Sequence, residues 1–307
     1  MSRAPAISDL VISLRGLGKE FGSVTALADL ELAVEHGQIH GFLGPNGAGK
    51  TTTLRIILGL LARDSGEASV FGLDPWRQSV TIRRRLSYVP GEVTLWPNLS
   101  GGEAIDYLTR LRGGALRTRV SELQARFDLN PRVKVSAYSK GNRQKVALIA
   151  ALACDVDLYI FDEPTDGLDP LMGEVFRQEV QSLRDRNKTV LLSSHVLSEV
   201  DAVCDHVTII REGRTIESGA LAELRHLQRQ SLTIETVEPL VDIDRIPGVF
   251  DVELSGSTLR CTVDSHALTP VLARAADAGL FAAEIVPVET PAPPTSQLVV
   301  EGVERLP

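Results

Sequence analysis

Long apolar segments are absent from this sequence. A helix that crosses a membrane needs about 20 mostly apolar residues, and the longest unbroken apolar run here is nine residues, Val146 to Cys154. The first sixteen residues also lack an apolar block of the length that a secretory signal peptide requires. We therefore expect a chain without a membrane span of its own and without a secretory leader.

Cysteine is scarce. The three cysteines, Cys154, Cys204 and Cys261, lie far apart, and no C-x-x-C pair occurs. This spacing favours neither a cysteine-based zinc site nor a disulfide framework. We expect three buried or partly buried thiols in a reducing cytosol.

An excess of positive charge is also absent. The formal net charge is −8, and the residues from Ser231 onward carry all of it, with twelve acidic and four basic side chains. The preceding part holds 28 acidic and 28 basic side chains, so its charges cancel. Since nucleic-acid-binding proteins usually carry a basic face, this distribution argues against one, although a neutral total leaves room for a local basic patch.

A glycine-rich loop lies between a predicted strand and a predicted helix. Gln38 to Leu43 predict a short strand, and Thr52 to Ala62 predict an apolar helix. The loop between them, GPNGAGKT, fits the phosphate-loop pattern G-x-x-x-x-G-K-[ST]. Such a loop directs backbone N–H groups and a helix N-terminus at a phosphate chain, while the lysine adds a full charge and the threonine offers a hydroxyl to Mg²⁺. The candidate ATP-binding residues are Gly44, Pro45, Asn46, Gly47, Ala48, Gly49, Lys50, Thr51 and Thr52.

An acidic pair ends a second predicted strand, DLYIFDE, at Asp157 to Glu163. The apolar run is typical of a buried parallel strand, and α/β sheets place their chemistry at the carboxyl ends of such strands. We predict that Asp162 holds Mg²⁺ and that Glu163 orients or deprotonates the attacking water. A strand that merely ends in solvated acids is the alternative. The phosphate loop earlier in the chain argues against this alternative.

Further along the chain come the loop TDGLDP, from Thr165 to Pro170, and an apolar strand that ends at His195. The order of all these segments resembles the ATP-binding subunit of an ABC transporter, over about residues 8 to 225. The resemblance implies that His195 senses the γ-phosphate, that Lys50, Glu163 and His195 are catalytic, and that ATP and Mg²⁺ are the cofactors. It also implies that Asp169 lies in a loop at a dimer interface.

Two stretches compete for the signature motif of that family, LSGGE at Leu99 to Glu103 and YSKGN at Tyr138 to Asn142. The family's signature lies a short helix before the acidic strand. Ser139 precedes Asp162 by 23 residues, close to the family's separation, whereas Ser100 precedes it by 62. The resemblance therefore identifies the second stretch as the signature, with the residues Ser139, Lys140, Gly141 and Asn142.

In the family, the signature serves ATP that is bound mainly by the other protomer, which implies a head-to-tail dimer of two copies, or of this chain and a paralogue, around two ATP molecules. Lys140 and Asn142 stand where the family has a glycine and a glutamine. A lysine at this place either brings positive charge near a phosphate or points to solvent.

LSGGE has a different physical interpretation. Ser100 followed three residues later by Glu103, just before an apolar run, is the pattern of a capping box. We therefore predict that Ser100 is the N-cap of a helix at the start of a helical subdomain.

Two more site residues follow from the resemblance. Phe21 matches the aromatic residue that stacks on adenine. Gly91 holds the place of a Mg²⁺-binding glutamine, and Glu92 follows it. Either Glu92 takes over the contact to metal and water, or its loop communicates with the transporter and contributes little to the metal.

The predicted fold is α/β, a P-loop NTPase (RecA-like) core with an antiparallel β subdomain and a helical subdomain at about residues 92 to 148. We assign residues 1–230 to this ATP-binding domain. Alternating short strands and one helix predict that residues 231–307 form a small acidic α+β appendage that ends in a proline-rich link at Pro291 to Pro294.

The resemblance predicts an ATPase that energises transport through separately encoded transmembrane permease subunits, at the cytoplasmic face of the membrane. The single nucleotide domain, the SKGN form of the signature and the acidic appendage favour the export of drugs, antibiotics or other hydrophobic compounds. The alternative is an ABC ATPase that acts on ribosomes or nucleic acid, but such members usually fuse two domains or insert long coiled coils, and neither feature occurs here.

Overall fold

The computed structural model describes residues 10–222, 230–238, 240, 242–263 and 267–287. The chain divides into two compact units, Met1–Leu221 and Ala222–Pro307. The strands of the first unit are β1 (Leu10–Phe21), β2 (Val24–Glu35), β3 (Ile39–Leu43), β4 (Ser65–Val70), β5 (Leu86–Val89), β6 (Leu158–Asp162), β7 (Thr189–Ser194), β8 (His206–Arg211) and β9 (Arg214–Ala220). Its helices are α1 (Lys50–Ile57), α2 (Ser79–Arg83), α3 (Gly101–Arg110), α4 (Arg117–Arg126), α5 (Lys140–Leu152), α6 (Pro170–Asp185) and α7 (Leu197–Asp201).

A six-stranded sheet forms the centre of the first unit, in the order β5-β6-β7-β3-β8-β9. Its first five strands are parallel, and β9 runs antiparallel to β8. Every residue of β3, β6 and β7 is buried, which is why these strands read as continuous apolar runs. Because parallel strands all end at one edge of a sheet, Leu43, Asp162 and Ser194 lie at the same edge.

A three-stranded antiparallel sheet, in the order β2-β1-β4, forms a second layer. β2 alternates between buried and exposed residues along its second half, the pattern of a sheet with one apolar face. Its buried side chains, among them Leu30 and Leu32, belong to the same core as Phe42 of β3 and Leu54 of α1. The mixed fold with an antiparallel β subdomain, predicted from the sequence, is confirmed.

The helix after the glycine-rich loop differs from the prediction of Thr52 to Ala62. It begins at Lys50 and ends at Ile57. The cause is Gly59, whose φ of 64° is left-handed. With Leu60 N–H donating to Arg55 O at 2.8 Å and Gly59 N–H to Ile56 O at 2.9 Å, the chain ends the helix in a Schellman motif.

The predicted helical subdomain contains α3, α4 and the first two turns of α5, but residues 92–100 form no helix. Helix α4 is joined to α6 by Arg119 and Arg126, which both form ion pairs with the buried carboxylate of Glu179. Among the described residues, no helix is both long and apolar enough to cross a membrane.

The second unit contains β10 (Gln230–Thr236), β11 (Val249–Ser255), β12 (Thr258–Val263), α8 (Leu268–Asp277) and β13 (Leu280–Pro287). Its antiparallel sheet has the order β11-β12-β10-β13, and Leu232, Leu259 and Val271 lie in a core of its own. The predicted proline-rich link from Pro291 to Pro294 lies outside the described residues.

Candidate active site

A cleft of about 620 Å³ opens at the carboxyl edge of the central sheet. Its walls come from the glycine-rich loop, the start of α1, the segment after β5, and the ends of β6 and β7. The predicted residues that line it are Pro45, Asn46, Gly47, Gly49, Lys50, Thr51, Thr52, Glu92, Asp162, Glu163 and His195. The structure thus brings the phosphate loop, the acidic pair and the strand-end histidine into one space.

The glycine-rich loop owes its path to two left-handed glycines, Gly47 with φ 81° and Gly49 with φ 105°. At Gly44 any side chain would collide with the backbone, since a Cβ there would lie 2.5 Å from Ile210 O. No side chain caps the start of α1. Its first N–H groups, which have no intrahelical acceptor, therefore have no side-chain acceptor either, and they border the cleft.

Lys50 is buried, and its ammonium group donates to Gly44 O at 2.5 Å and to Pro45 O at 3.3 Å. It also lies 3.2 Å from Glu163 Oε1. The loop's own carbonyl groups therefore hold the lysine head inside the cleft, next to unpaired backbone donors. This donor set, a full charge beside a helix N-terminus, fits a nucleotide phosphate chain.

Asp162 is the last residue of β6 and is buried at the bottom of the cleft. Burial raises the pKa of its carboxyl group, and a hydrogen bond from Ser193 opposes that rise. Its Oδ2 lies 3.4 Å from Thr51 Oγ1. A carboxylate beside a hydroxyl fits Mg²⁺, which typically takes one or two protein oxygens together with substrate phosphates. The described residues include no cluster of three His, Cys, Asp or Glu that could hold a metal by protein groups alone.

Glu163 follows the strand in a left-handed conformation, with φ 47°. Non-glycine residues rarely adopt it, and such positions cluster at functional sites. The turn directs the carboxylate into the cleft, where Oε1 meets the Lys50 ammonium and Oε2 lies 2.6 Å from His195 Nδ1. A carboxylate held at both oxygens has a fixed orientation, as a base acting on water requires.

The signature residues do not line this cleft. Ser139 caps α5, and its Oγ accepts a hydrogen bond from Asn142 N–H at 3.2 Å. Lys140 lines a separate cavity of about 460 Å³, which shares Gly91, Glu92 and Asp166 with the cleft. Gly141 lies so close to the loop after β6 that a Cβ would come within 2.4 Å of Gly167 O, so no other residue fits there unchanged.

The other predicted site residues are Phe21, Asp169 and Glu92. Phe21 ends β1, is half exposed and is not among the residues lining the cleft, although Ala26 of β2 is. Asp169 caps α6 by accepting from Met172 N–H at 2.9 Å. Glu92 is exposed at the mouth of the cleft.

The interpretation of LSGGE as a capping box is confirmed. Ser100 is the N-cap of α3, with its Oγ accepting from Glu103 N–H at 3.3 Å. The Glu103 carboxylate in turn accepts from Ser100 N–H at 2.7 Å.

Several side chains of the site carry no motif in the sequence. Ser193, paired with Asp162 across β6 and β7, donates to the Asp162 carboxylate. Glu199 of α7 accepts hydrogen bonds from Thr165 at 2.6 Å and from Ser194 at 2.7 Å, which ties the loop after β6 to the end of β7. These contacts follow from the tertiary structure. The sequence holds one signal for them, the two serines Ser193 and Ser194 just before His195. Because alternate residues of a strand share a face, Ser193 falls on the same face as His195.

Comparison with known proteins agrees with this geometry. The family model described as "ABC transporter" matches residues 27–166. The chain is 40% identical to the ABC transporter ATP-binding protein NatA of Bacillus subtilis (strain 168), over 67% of this chain and 86% of NatA. It is 37% identical to the daunorubicin resistance ATP-binding protein DrrA3 of Streptomyces coeruleorubidus, over 71% of each chain.

A similar fold occurs in the dimeric ATP-binding cassette MJ0796, solved in a post-hydrolysis state bound to ADP and Pi. The TM-score is 0.62 and the identity 25%, over 68% of this chain and 98% of the cassette.

Proposed function

Since this chain belongs to the ATP-binding subunits of ABC transporters and hydrolyses ATP to energise transport, we propose that it serves an exporter of a drug, an antibiotic or another hydrophobic compound. The similarity to a daunorubicin resistance protein over most of the chain supports this direction of transport. The cargo is selected by membrane subunits, which we propose are encoded separately and hold this chain at the cytoplasmic face of the membrane.

The observation that carries the catalytic assignment is the position of Glu163 between Lys50 and His195, in the cleft that Asp162 and Thr51 also line. We propose that Lys50 and the N–H groups of the loop bind the ATP phosphates, and that Thr51 and Asp162 hold Mg²⁺. When bound, Mg²⁺ would neutralise charge on the phosphate oxygens. Glu163 would take a proton from the attacking water, and His195 would orient Glu163 and the γ-phosphate.

We propose that two copies pair head to tail, as supported by the dimeric form of the similar cassette. In such a dimer the start of α5, with Ser139 and Gly141, would face the γ-phosphate held by the partner. Ser139 Oγ and the first N–H groups of α5 are suited to this contact because they form a helix N-terminus.

An apolar surface on the helical subdomain supports a membrane partner. Trp96 and Tyr107 are nearly half exposed and stack edge to face with centroids 4.8 Å apart. Together with Pro97 and Leu99 they line an apolar cavity of about 390 Å³. Exposed apolar patches of this kind mark interaction sites, and we propose that a permease segment binds here.

Replacing Trp96 with Glu tests this surface. We expect the variant to bind ATP normally but to be lost from membranes that contain the permease, because a carboxylate would have to be buried at the contact. Leu254→Glu, at a similarly exposed apolar residue of β11, is the control. Retention of Trp96→Glu on the membranes would place the contact elsewhere.

Transport in inside-out vesicles tests the export proposal. Vesicles that carry this chain with its membrane subunits should accumulate a hydrophobic probe, daunorubicin in the first instance, only when ATP is supplied. Vesicles with Glu163→Gln should not. ATP-driven loss from preloaded vesicles would contradict export, and recovery of the chain solely with ribosomes would contradict a transport function.

A further inference from the structure

Lys140, the second residue of the signature, is held by its own chain. Its Nζ lies 2.6 Å from Asp166 Oδ2, in the loop that follows Glu163. Asp166 lines the nucleotide cleft, while Lys140 lines only the neighbouring cavity. The ion pair therefore forms part of the partition between the two spaces.

Both side chains of this pair are more than half exposed, but the backbone on either side of it is held in place. Gly167 adopts φ 82°, and a Cβ there would lie 3.3 Å from Lys140 Cγ and Cδ, so the lysine stem lies along the glycine. The buried Gln144 side chain donates to Pro164 O at 3.1 Å. Together with the close approach of Gly141 to Gly167 O, these contacts fix the start of α5 against the loop. The backbone therefore holds Lys140 and Asp166 within ion-pairing distance.

The ion pair between Lys140 and Asp166 affects the balance of charge in the cleft. Four carboxylates line the cleft, at Glu92, Asp162, Glu163 and Asp166, together with the cationic side chains of Lys50 and Arg55. Glu163 is balanced by Lys50 and hydrogen-bonded to His195, and Asp162 is hydrogen-bonded and placed for a cation. Asp166 has Lys140 as its ion-pair partner among the described residues. Without Lys140, an unbalanced carboxylate would face a bound triphosphate.

We propose that Lys140 is a positioning residue for the nucleotide bound by its own chain. By pairing with Asp166 it neutralises that carboxylate and holds it against the cleft wall, away from the triphosphate. This role differs from the signature's contact with the partner's γ-phosphate. It rests on the nucleotide site proposed above.

The experiment measures the Kd for ATP by titration calorimetry on the full chain, at concentrations where light scattering shows a monomer, so that no partner signature can contribute. Lys140→Met should raise the Kd about fivefold, because the unbalanced Asp166 carboxylate would repel the ATP phosphates and the surrounding solvent would weaken that repulsion. Asp166→Asn alone should leave the Kd unchanged or lower it. The double variant should restore the wild-type Kd, because it removes the carboxylate that needed balancing.

Lys188→Met is the matched control, because Lys188 pairs with Asp155 at 2.7 Å and neither residue lines the cleft. It should leave the Kd unchanged. Raising the salt to about 1 M, where the Debye length falls to about 3 Å, should shrink the Lys140→Met effect. Lys140→Arg should retain wild-type affinity. A merely structural role would produce neither the salt dependence nor rescue by Asp166→Asn.

Distinct results would overturn the inference. Equal Kd values for Lys140→Met and wild type would show that Lys140 has no role toward its own nucleotide. A loss that Asp166→Asn fails to repair would show direct phosphate contact or lost packing instead. Failure of the wild type itself to bind ATP, matching Lys50→Ala, would overturn the proposed nucleotide site and is thereby distinguished. If Lys140→Met does not fold, Lys140→Gln serves in its place.

Discussion

At the scale of single residues, Glu163 shows how local backbone and distant partners combine. Its left-handed φ of 47° turns the carboxylate out of the strand direction. Lys50, more than a hundred residues earlier, and His195 then hold the two oxygens. A side chain oriented so closely is suited to proton transfer, which typically contributes about 10²–10⁴ in rate.

Glu163→Gln should therefore bind ATP with nearly unchanged Kd and hydrolyse it at least about 10²-fold more slowly. The amide keeps the shape of the side chain but cannot accept the proton. Phosphate release and ATP titration measure the two effects. Hydrolysis at the wild-type rate would contradict the assignment of the base.

Glu92→Gln is the natural companion variant, because Glu92 is the other glutamate that lines the cleft. A turnover rate that depends on Mg²⁺ concentration more steeply than in the wild type would indicate that Glu92 contacts the metal. An unchanged rate would indicate that its loop serves the transporter instead.

His40 is a buried residue of β3 whose role is structural. Burial, together with the nearby His206, lowers its pKa to about 3. Nδ1 lies 3.0 Å from the side-chain Oε1 of Gln38 and Nε2 2.8 Å from Thr208 Oγ1, so the neutral ring donates to Gln38 and accepts from Thr208. Folding keeps this ring uncharged.

Since the pKa is lower in the folded than in the unfolded chain, the unfolded chain binds the proton first as the pH falls, and stability is lost below the ordinary value of 6.5. Between pH 7 and pH 5 the loss due to His40 should be about 2 kcal/mol. His40→Gln should reduce the pH dependence of the free energy of unfolding, measured with urea, by about that amount.

At the scale of elements, two helices begin with a serine cap, and their surroundings separate their roles. Ser100 starts α3 with a complete capping box. Ser139 starts α5, whose first turn is fixed against the loop after β6 by Gly141 and Gln144. Both hydroxyls satisfy a backbone N–H, so capping alone does not distinguish them.

Ser100→Ala should lower the free energy of unfolding by about 1 kcal/mol, the usual value of a lost cap, without changing the turnover of the folded protein. Ser139→Ala should lose ATPase activity in the dimer while the monomer keeps its ATP affinity. Urea unfolding and phosphate release distinguish the two. Equal loss of activity in both variants would contradict the assignment of YSKGN as the signature.

The sequence predicts the end of a helix less well than it predicts a local motif. Phosphate-loop and capping-box patterns act through hydrogen bonds within a few residues, so the sequence alone located them. The early end of α1 came from Gly59, where a left-handed residue closed the helix in a Schellman motif. The apolar residues after Gly59 continue the helical spacing in the sequence, but they are not helical in the structure.

At the scale of the whole molecule, two compact units each have a hydrophobic core. Every residue that lines the nucleotide cleft belongs to the first unit. The acidic side chains that follow Ser231 carry the net charge of the chain. We propose that the second unit does not take part in ATP binding.

A chain that ends at Gln230 should consequently bind ATP with the same Kd as the full chain, because the cleft keeps all its walls. Calorimetric titration of both chains checks this, with circular dichroism to verify that the shortened chain is folded. Weaker binding by a folded shortened chain would indicate that the second unit supports the nucleotide site.

The sequence by itself determined the local chemistry of this protein, namely the phosphate loop, the acidic pair after a buried strand, and the serine cap of α3. Each of these depends on residues near one another in the chain. Tertiary structure alone decided that Ser193 supports Asp162, that Glu199 links two loops and that Lys140 pairs with Asp166. The physical reason is that burial of apolar strand faces sets the order of β3, β6 and β7, and only that order brings these distant polar groups together.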